Sequence, residues 1–150
     1  LAMNWSIKKF NQLDINNLYS ILKLRSEVFV LEQKCPYLDI DEKDQKALHI
    51  FSLDNKDDCI AYGRILKPDD YYKNYTAITR IVIRKKDRNK QLGYELVKKL
   101  IEICKEKYKE KKIKISAQKH LQNFYEKCGF VFKGENYLED EIPHCAMYYS

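Results

Sequence analysis

Residues 81–94 read IVIRKKDRNKQLGY, in which a β-branched run ends in Arg84, Lys85, Lys86, Arg88 and Lys90 with Asp87 as the one acid. Gly93 follows, where a long amphipathic helix begins. The first amides of a helix lack intrahelical partners and sit at the positive end of its dipole. A loop entering such an end, here Arg88-Asn89-Lys90-Gln91-Leu92-Gly93, offers N–H groups to an anion, with basic side chains at its edge. Gly93 would let the backbone approach a bulky anion, such as a diphosphate, without a Cβ in the way. Neither GxxxxGK[ST] nor GxGxxG is present. The competing reading is a solvated charge run opening a surface helix.

Other residues could do chemistry on an acceptor. Stepping by three and four along the first helix gives Ile15, Leu18, Leu22, Arg25, Phe29 and Glu32, which puts Arg25 and Glu32 on an apolar face where unpaired charge is costly. Either they form a structural ion pair or the face lines a cleft with Glu32 as base or amine anchor. His49, in an alternating strand, is a candidate base or a hydrogen-bonded structural residue. Asp39 and Asp41 are candidate contacts for a cationic acceptor or turn residues, and His144, just after Pro143, has the same standing. With the histidines neutral, the three carboxylates against Arg25 predict a net acidic cleft wall. Tyr125 falls on one helix face with Leu121, Phe124 and Cys128, which by itself reads as core.

The elements that must position these residues follow from periodicity. Trp5–Phe10 reads as a strand, and Asp14 can cap a helix over 15–31. PYLDIDEKDQ reads as a turn-rich loop with a short helix. ALHIFSL and CIAYGRIL flank NKDD as a hairpin, and TAITRIVIR follows as a strand. The longest helix is expected over 91–109, then the strand KIKISA, a helix in HLQNFYEKC ended by Gly129, and two last strands, FVF and HCAMYY, joined by an acidic loop.

The chain has 150 residues, a net charge of +6, 45% hydrophobic and 33% charged residues, and few glycines or prolines. That composition suits one compact domain over residues 3–150, and Leu1 and Ala2 ahead of Met3 are expected to be a cloning remnant. No apolar run nears the roughly 18–20 residues of a membrane span, and no signal peptide is evident, so a cytoplasmic location is expected. Five cysteines without a CxxC pair suit reduced thiols. His120, Cys128, His144 and Cys145 match no zinc-module spacing, so no metal is expected.

The basic loop and Tyr125-Glu126-Lys127-Cys128-Gly129-Phe130 together resemble the GNAT superfamily of acetyl-CoA-dependent N-acetyltransferases. Arg88 and Gly93 match the ends of its (Q/R)-x-x-G-x-(G/A) motif, while Gln91 replaces the middle glycine. LRSEVFVLEQKCPYLDID, AQKHLQNFYEKCGF and EDEIPH resemble its ElaA-like branch over nearly the whole chain. The resemblance implies an α/β (α+β) GNAT fold: a mixed, mostly antiparallel sheet of six or seven strands, splayed between the fourth and fifth, with helices on both faces. It implies acetyl-CoA as cosubstrate, held by Ile81, Val82 and Ile83 through their backbone, by Arg88, Asn89, Lys90, Gln91, Leu92, Gly93 and Tyr94, and by Asn123. Tyr125, protonated at neutral pH, would act as general acid toward the leaving thiolate. The expected acceptor is a small-molecule or peptide amine contacted by Arg25, Asp39, Asp41, His49 and His144, with Glu32 catalytic. The expected assembly is a monomer or homodimer that binds neither nucleic acid nor membrane. Two alternatives are a non-catalytic acyl-CoA sensor and a nucleic-acid-binding domain; residues 84–90 hold no aromatic side chain of the kind the latter uses.

Overall fold

The computed structural model describes residues 3–109 and 111–150, with position 90 described in its backbone only. The proposed remnant, Leu1 and Ala2, lies outside the described residues. Seven strands form one sheet: β1 (Ser6–Lys9), β2 (Leu48–Leu53), β3 (Cys59–Leu66), β4 (Thr76–Ile83), β5 (Ile113–Gln118), β6 (Val131–Glu139) and β7 (Ile142–Tyr149). Their order is β1-β2-β3-β4-β5-β7-β6, antiparallel except for β4 against β5. The helices are α1 (Ile15–Arg25), α2 (Lys90–Lys107) and α3 (Gln122–Lys127), with a short 3₁₀ turn, Lys119–Leu121, leading into α3.

β3 is buried along almost its whole length, because helices cover both of its faces. Alternate residues point to opposite sides. Phe51, Tyr62 and Val82 meet Ile21, Leu24 and Val28 on one face. Ile50, Ala61 and Ile65 meet Leu96, Leu100 and Ile103 of α2 on the other. The expected mixed sheet with helices on both faces is therefore the observed one.

Two expectations need correction. The first helix does not bury the stripe read from its spacing: Ile15 is 84% exposed and the buried residues are Asn17, Ile21, Leu24, Arg25 and Val28. Apolar residues at 18, 21, 22 and 24 span a wide arc, so spacing alone does not choose the stripe, and packing on Phe51 and Tyr62 does. The helix also widens after Arg25 into a π-helix, Ser26–Glu32, which turns its last residues out of the α-helical phase. The second correction concerns the acidic loop between the last strands. Gly134 to Glu139 belongs to β6, and the connection is a turn at Asp140 and Glu141, both with positive φ. Such a two-residue primed turn matches the twist of the strands it joins.

Candidate acyl-transfer site

β4 and β5 pair only at Thr76↔Ile113 and Ala77↔Lys114, after which they part. A bulge in β4 accompanies the parting. Tyr62 pairs with Val82 and Arg64 with Thr79, so Arg80 and Ile81 together oppose Gly63, and Arg80 takes φ 56°. An inserted residue bends its strand and re-aims a side chain. The opening holds a cavity of about 510 Å³. Ile81, Val82 and Ile83 line one wall, Ile115, Ser116 and Gln118 the other, and Val28, Phe29 and Glu32 reach it from the π-helix. Beyond the two paired positions the β5-facing edge of β4 has backbone donors and acceptors to offer a ligand.

One end of the cavity is formed by the start of α2, where Arg88, Asn89 and Gly93 line it. Asn89 caps the helix, its Oδ1 accepting from the Leu92 amide at 2.8 Å. The amides of the first turn and the positive end of the helix dipole suit that end to an anion. Gly93 also allows a close approach that the sequence did not show. A Cβ there would stand 3.2 Å from the Phe124 ring and 3.9 Å from Ile83 Cδ1, so the glycine brings α2 against α3 and β4. Tyr94 stacks on the same Phe124 ring, at 5.0 Å between centroids.

Tyr125 lines the cavity, is 7% exposed, and packs edge-on between Phe124 and Phe130. Burial pushes its phenol well above the ordinary tyrosine range, so it stays protonated. Gly129, with φ 102°, ends the helical turn that carries it.

These features agree with the comparisons to known proteins. The model of the acetyltransferase (GNAT) domain matches residues 19–150. The Escherichia coli (strain K12) protein ElaA is 40% identical over 147 residues, covering 97% of this chain and 95% of that protein. The chain belongs to the GNAT acetyltransferase family. A crystal structure of Escherichia coli ElaA superposes with a TM-score of 0.90 at 37% identity, over 99% of this chain and 100% of that one. A crystal structure of an acyl-CoA N-acyltransferase from Pseudomonas aeruginosa superposes with a TM-score of 0.92 at 34% identity, over 99% and 100%. Membership of this GNAT family assigns the chain to acyl transfer.

Against that GNAT frame, Ile81, Val82, Ile83, Arg88, Asn89, Gly93, Tyr125, Glu32 and His144 all line the cavity. Gln91 and Leu92 do not; they border a second hollow with Met3, Ile60 and Glu95. Tyr94 braces Phe124, Asn123 is exposed on α3, and the side chain of Lys90 lies outside the described residues.

The acceptor residues are placed differently from expectation. Arg25 is fully buried and does not reach the cavity: its Nε donates to Asp39 Oδ2 at 2.8 Å and its Nη1 to Asp44 Oδ1 at 2.7 Å. Arg64 donates to both oxygens of Asp41, at 2.8 and 2.7 Å, and to Asp44 at 2.9 Å. Arg80 donates to Asp39 Oδ1 at 2.7 Å and its backbone carbonyl at 2.9 Å. Three arginines thus answer three aspartates, and the expected acidic wall is neutralised. Burial alone would raise the Asp41 carboxyl, but Arg64 and Arg80 pull it down to about 2.

His49 is 1% exposed and also lies off the cavity wall. Its Nε2 meets the Asp44 carbonyl at 2.9 Å and so carries the hydrogen, leaving Nδ1 to accept from the Tyr62 hydroxyl at 2.7 Å. Burial lowers its affinity for a proton. Glu32 and Arg25 do not pair. Both Glu32 oxygens accept from Arg88, at 2.5 and 3.0 Å, and that bond holds the carboxyl below its ordinary value. A carboxylate so engaged is a weak base.

The sequence reading missed Arg64, Arg80 and Asp44. A signal was there: both arginines interrupt apolar strand segments, CIAYGRIL and TAITRIVI, and a charge in such a run demands a buried partner. Ser116, Tyr137 and Glu139 were missed without a comparable signal, because only the pairing of β5, β6 and β7 gathers them.

Proposed function

We propose that the chain, acting as one domain over residues 3–150, transfers an acyl group from acyl-CoA, acetyl-CoA first among them, to a primary amine by direct attack. One observation carries this reading: Tyr125 borders the opening between β4 and β5 with a buried, protonated phenol, in a cavity that also meets the start of α2. The backbone of Ile81–Ile83 suits a pantetheine arm, and the first turn of α2 suits the diphosphate. Tyr125 then gives its proton to the departing thiolate, and burial, which disfavours a phenolate, returns it promptly to the neutral form. The likeness to the Pseudomonas aeruginosa acyl-CoA N-acyltransferase supports N-acyl transfer. Among the described residues no helix is long and apolar enough to cross a membrane, and we propose that the enzyme works in the cytoplasm.

The test is thiol release from acetyl-CoA across a panel of amines. Tyr125→Phe should lower kcat by about 10²- to 10⁴-fold, the usual scale for a general acid, with little change in acetyl-CoA affinity. Acetyl-CoA bound without turnover on any amine would favour a sensor. An unchanged kcat in Tyr125→Phe would leave Tyr125 a packing residue.

A further inference from the structure

Proton removal is the step of the proposed reaction that Glu32 and His49 do not serve. An alkyl ammonium, with a pKa near ~10.4, must lose a proton before its nitrogen can attack. His144 lines the cavity and is 7% exposed. Its Nδ1 lies 2.7 Å from the Ile142 carbonyl, which can only accept, so Nδ1 carries the hydrogen and Nε2 keeps the lone pair. The ring lies nearly parallel to that of Tyr137, with 18° between the planes. Glu139 Oε2 stands 3.4 Å from Nε2, while Ser116 Oγ donates to Glu139 Oε1 at 3.3 Å and itself meets the Tyr137 hydroxyl.

We propose that His144 Nε2 takes the proton of the incoming ammonium, and that Glu139, positioned by Ser116, holds the imidazolium so formed. The inference rests on the reading of an amine acceptor. The ammonium gives one proton to Nε2, and its freed lone pair forms the C–N bond at the thioester carbonyl. The C–S bond breaks with its electron pair on sulfur, which takes the Tyr125 proton. The new amide nitrogen sheds its surplus proton to restore Tyr125, and His144 returns its own to solvent. Charged and titratable groups around His144 are Glu139 and Tyr137 from β6, Asp140 from the turn and Tyr72 on the cavity wall, together with Lys119 and His120 from the short turn that packs on β7. Ser116 and Gln118 of β5 face it uncharged.

The experiment compares wild type and His144→Gln by the pH dependence of kcat/KM for an amine the wild type acetylates. The variant should lose about 10²- to 10⁴-fold. Its pH profile should also differ in shape from that of the wild type, keeping only the alkaline rise of the amine itself. Stabilisation of the variant by acetyl-CoA, read as a raised Tm, shows that it folds. Nitrogen-15 NMR of the wild type, which has three histidines, gives a readout free of turnover: His144 should be the Nδ1–H tautomer when neutral, and an Nε2–H tautomer overturns the proposal even if the variant misfolds. A His144→Gln enzyme with wild-type kcat/KM and pH profile also overturns it while leaving amine acylation intact. A wild type inert toward every amine fells the functional reading itself.

Discussion

The two ends of the cavity are held in different ways. At the α2 end the ion pair, Arg88 with Glu32, is open to water, with side chains 37% and 30% exposed. At the other end Arg80 reaches Asp39 across 41 residues, and Arg25 and Asp39 are 0% and 6% exposed. An exposed pair contributes about 0–1 kcal/mol because water competes for both partners. A buried pair is a different case, since losing one partner strands the other without solvent. The first arrangement can therefore open for a ligand at small cost, whereas the second fixes the loop of residues 35–44 against β3 and β4.

The largest effect expected from this contrast follows from Arg25→Met, which removes a donor from Asp39 and from Asp44. Unfolding in urea should show a loss of about 3–5 kcal/mol, against less than about 1 kcal/mol for Arg88→Met. Equal losses in the two variants would erase the distinction between the two ends.

Acid should act most on the buried end, and its sign follows from the shifts. Asp41 is held at about 2, below its ordinary 3.8, so the unfolded chain takes up the proton first as pH falls. The stability it contributes, about 2 kcal/mol, is present above about pH 4 and lost as pH falls toward 2. Asp44 is lowered as well and has the same sign. His49 is lowered by burial, so its contribution begins to slip once pH passes below about 6.5, where an unfolded histidine protonates. Unfolding free energy should fall steadily from pH 6.5 to 2, and Asp41→Asn should flatten the part below pH 4. A level profile in the wild type would mean that the network contributes no net stability.

What could be read beforehand divides instead between local patterns and long-range partners. The basic loop and the tyrosine before Gly129 are local patterns, and the strand order around the splay came with the family resemblance those patterns carry. Long-range partners were not legible. Spacing placed Arg25 on a buried face but gave no means of finding Asp44, nor of seeing that Glu32, carried round by a π-helix, would turn toward Arg88. The bulge at Arg80 was equally hidden, because a non-glycine residue at positive φ leaves no mark on the β-branched pattern around it.

The smallest effect expected concerns Glu32, and it separates two roles for that residue. Glu32 accepts from Arg88 through both oxygens, and Arg88 also donates from Nε to the Ile83 carbonyl at 2.9 Å, so the pair bridges the π-helix to the entry of α2. A diphosphate bound at that entry, as proposed above, would compete with Glu32 for the Arg88 guanidinium, a fork suited to either partner. Glu32→Gln removes the competing charge while keeping the shape. Stability should change by less than about 1 kcal/mol, as for other exposed pairs. Acetyl-CoA should bind tighter by up to about fivefold, the equivalent of about 1 kcal/mol, and more so at low salt, where an exposed charge is least screened. Calorimetry at two salt concentrations measures both. With the amine saturating, kcat should stay near the wild-type value, since a carboxylate committed to Arg88 has no proton to carry. A kcat reduced by the 10²-fold or more typical of a lost general base, with acetyl-CoA affinity unchanged, would instead make Glu32 the proton acceptor and Arg88 only its support.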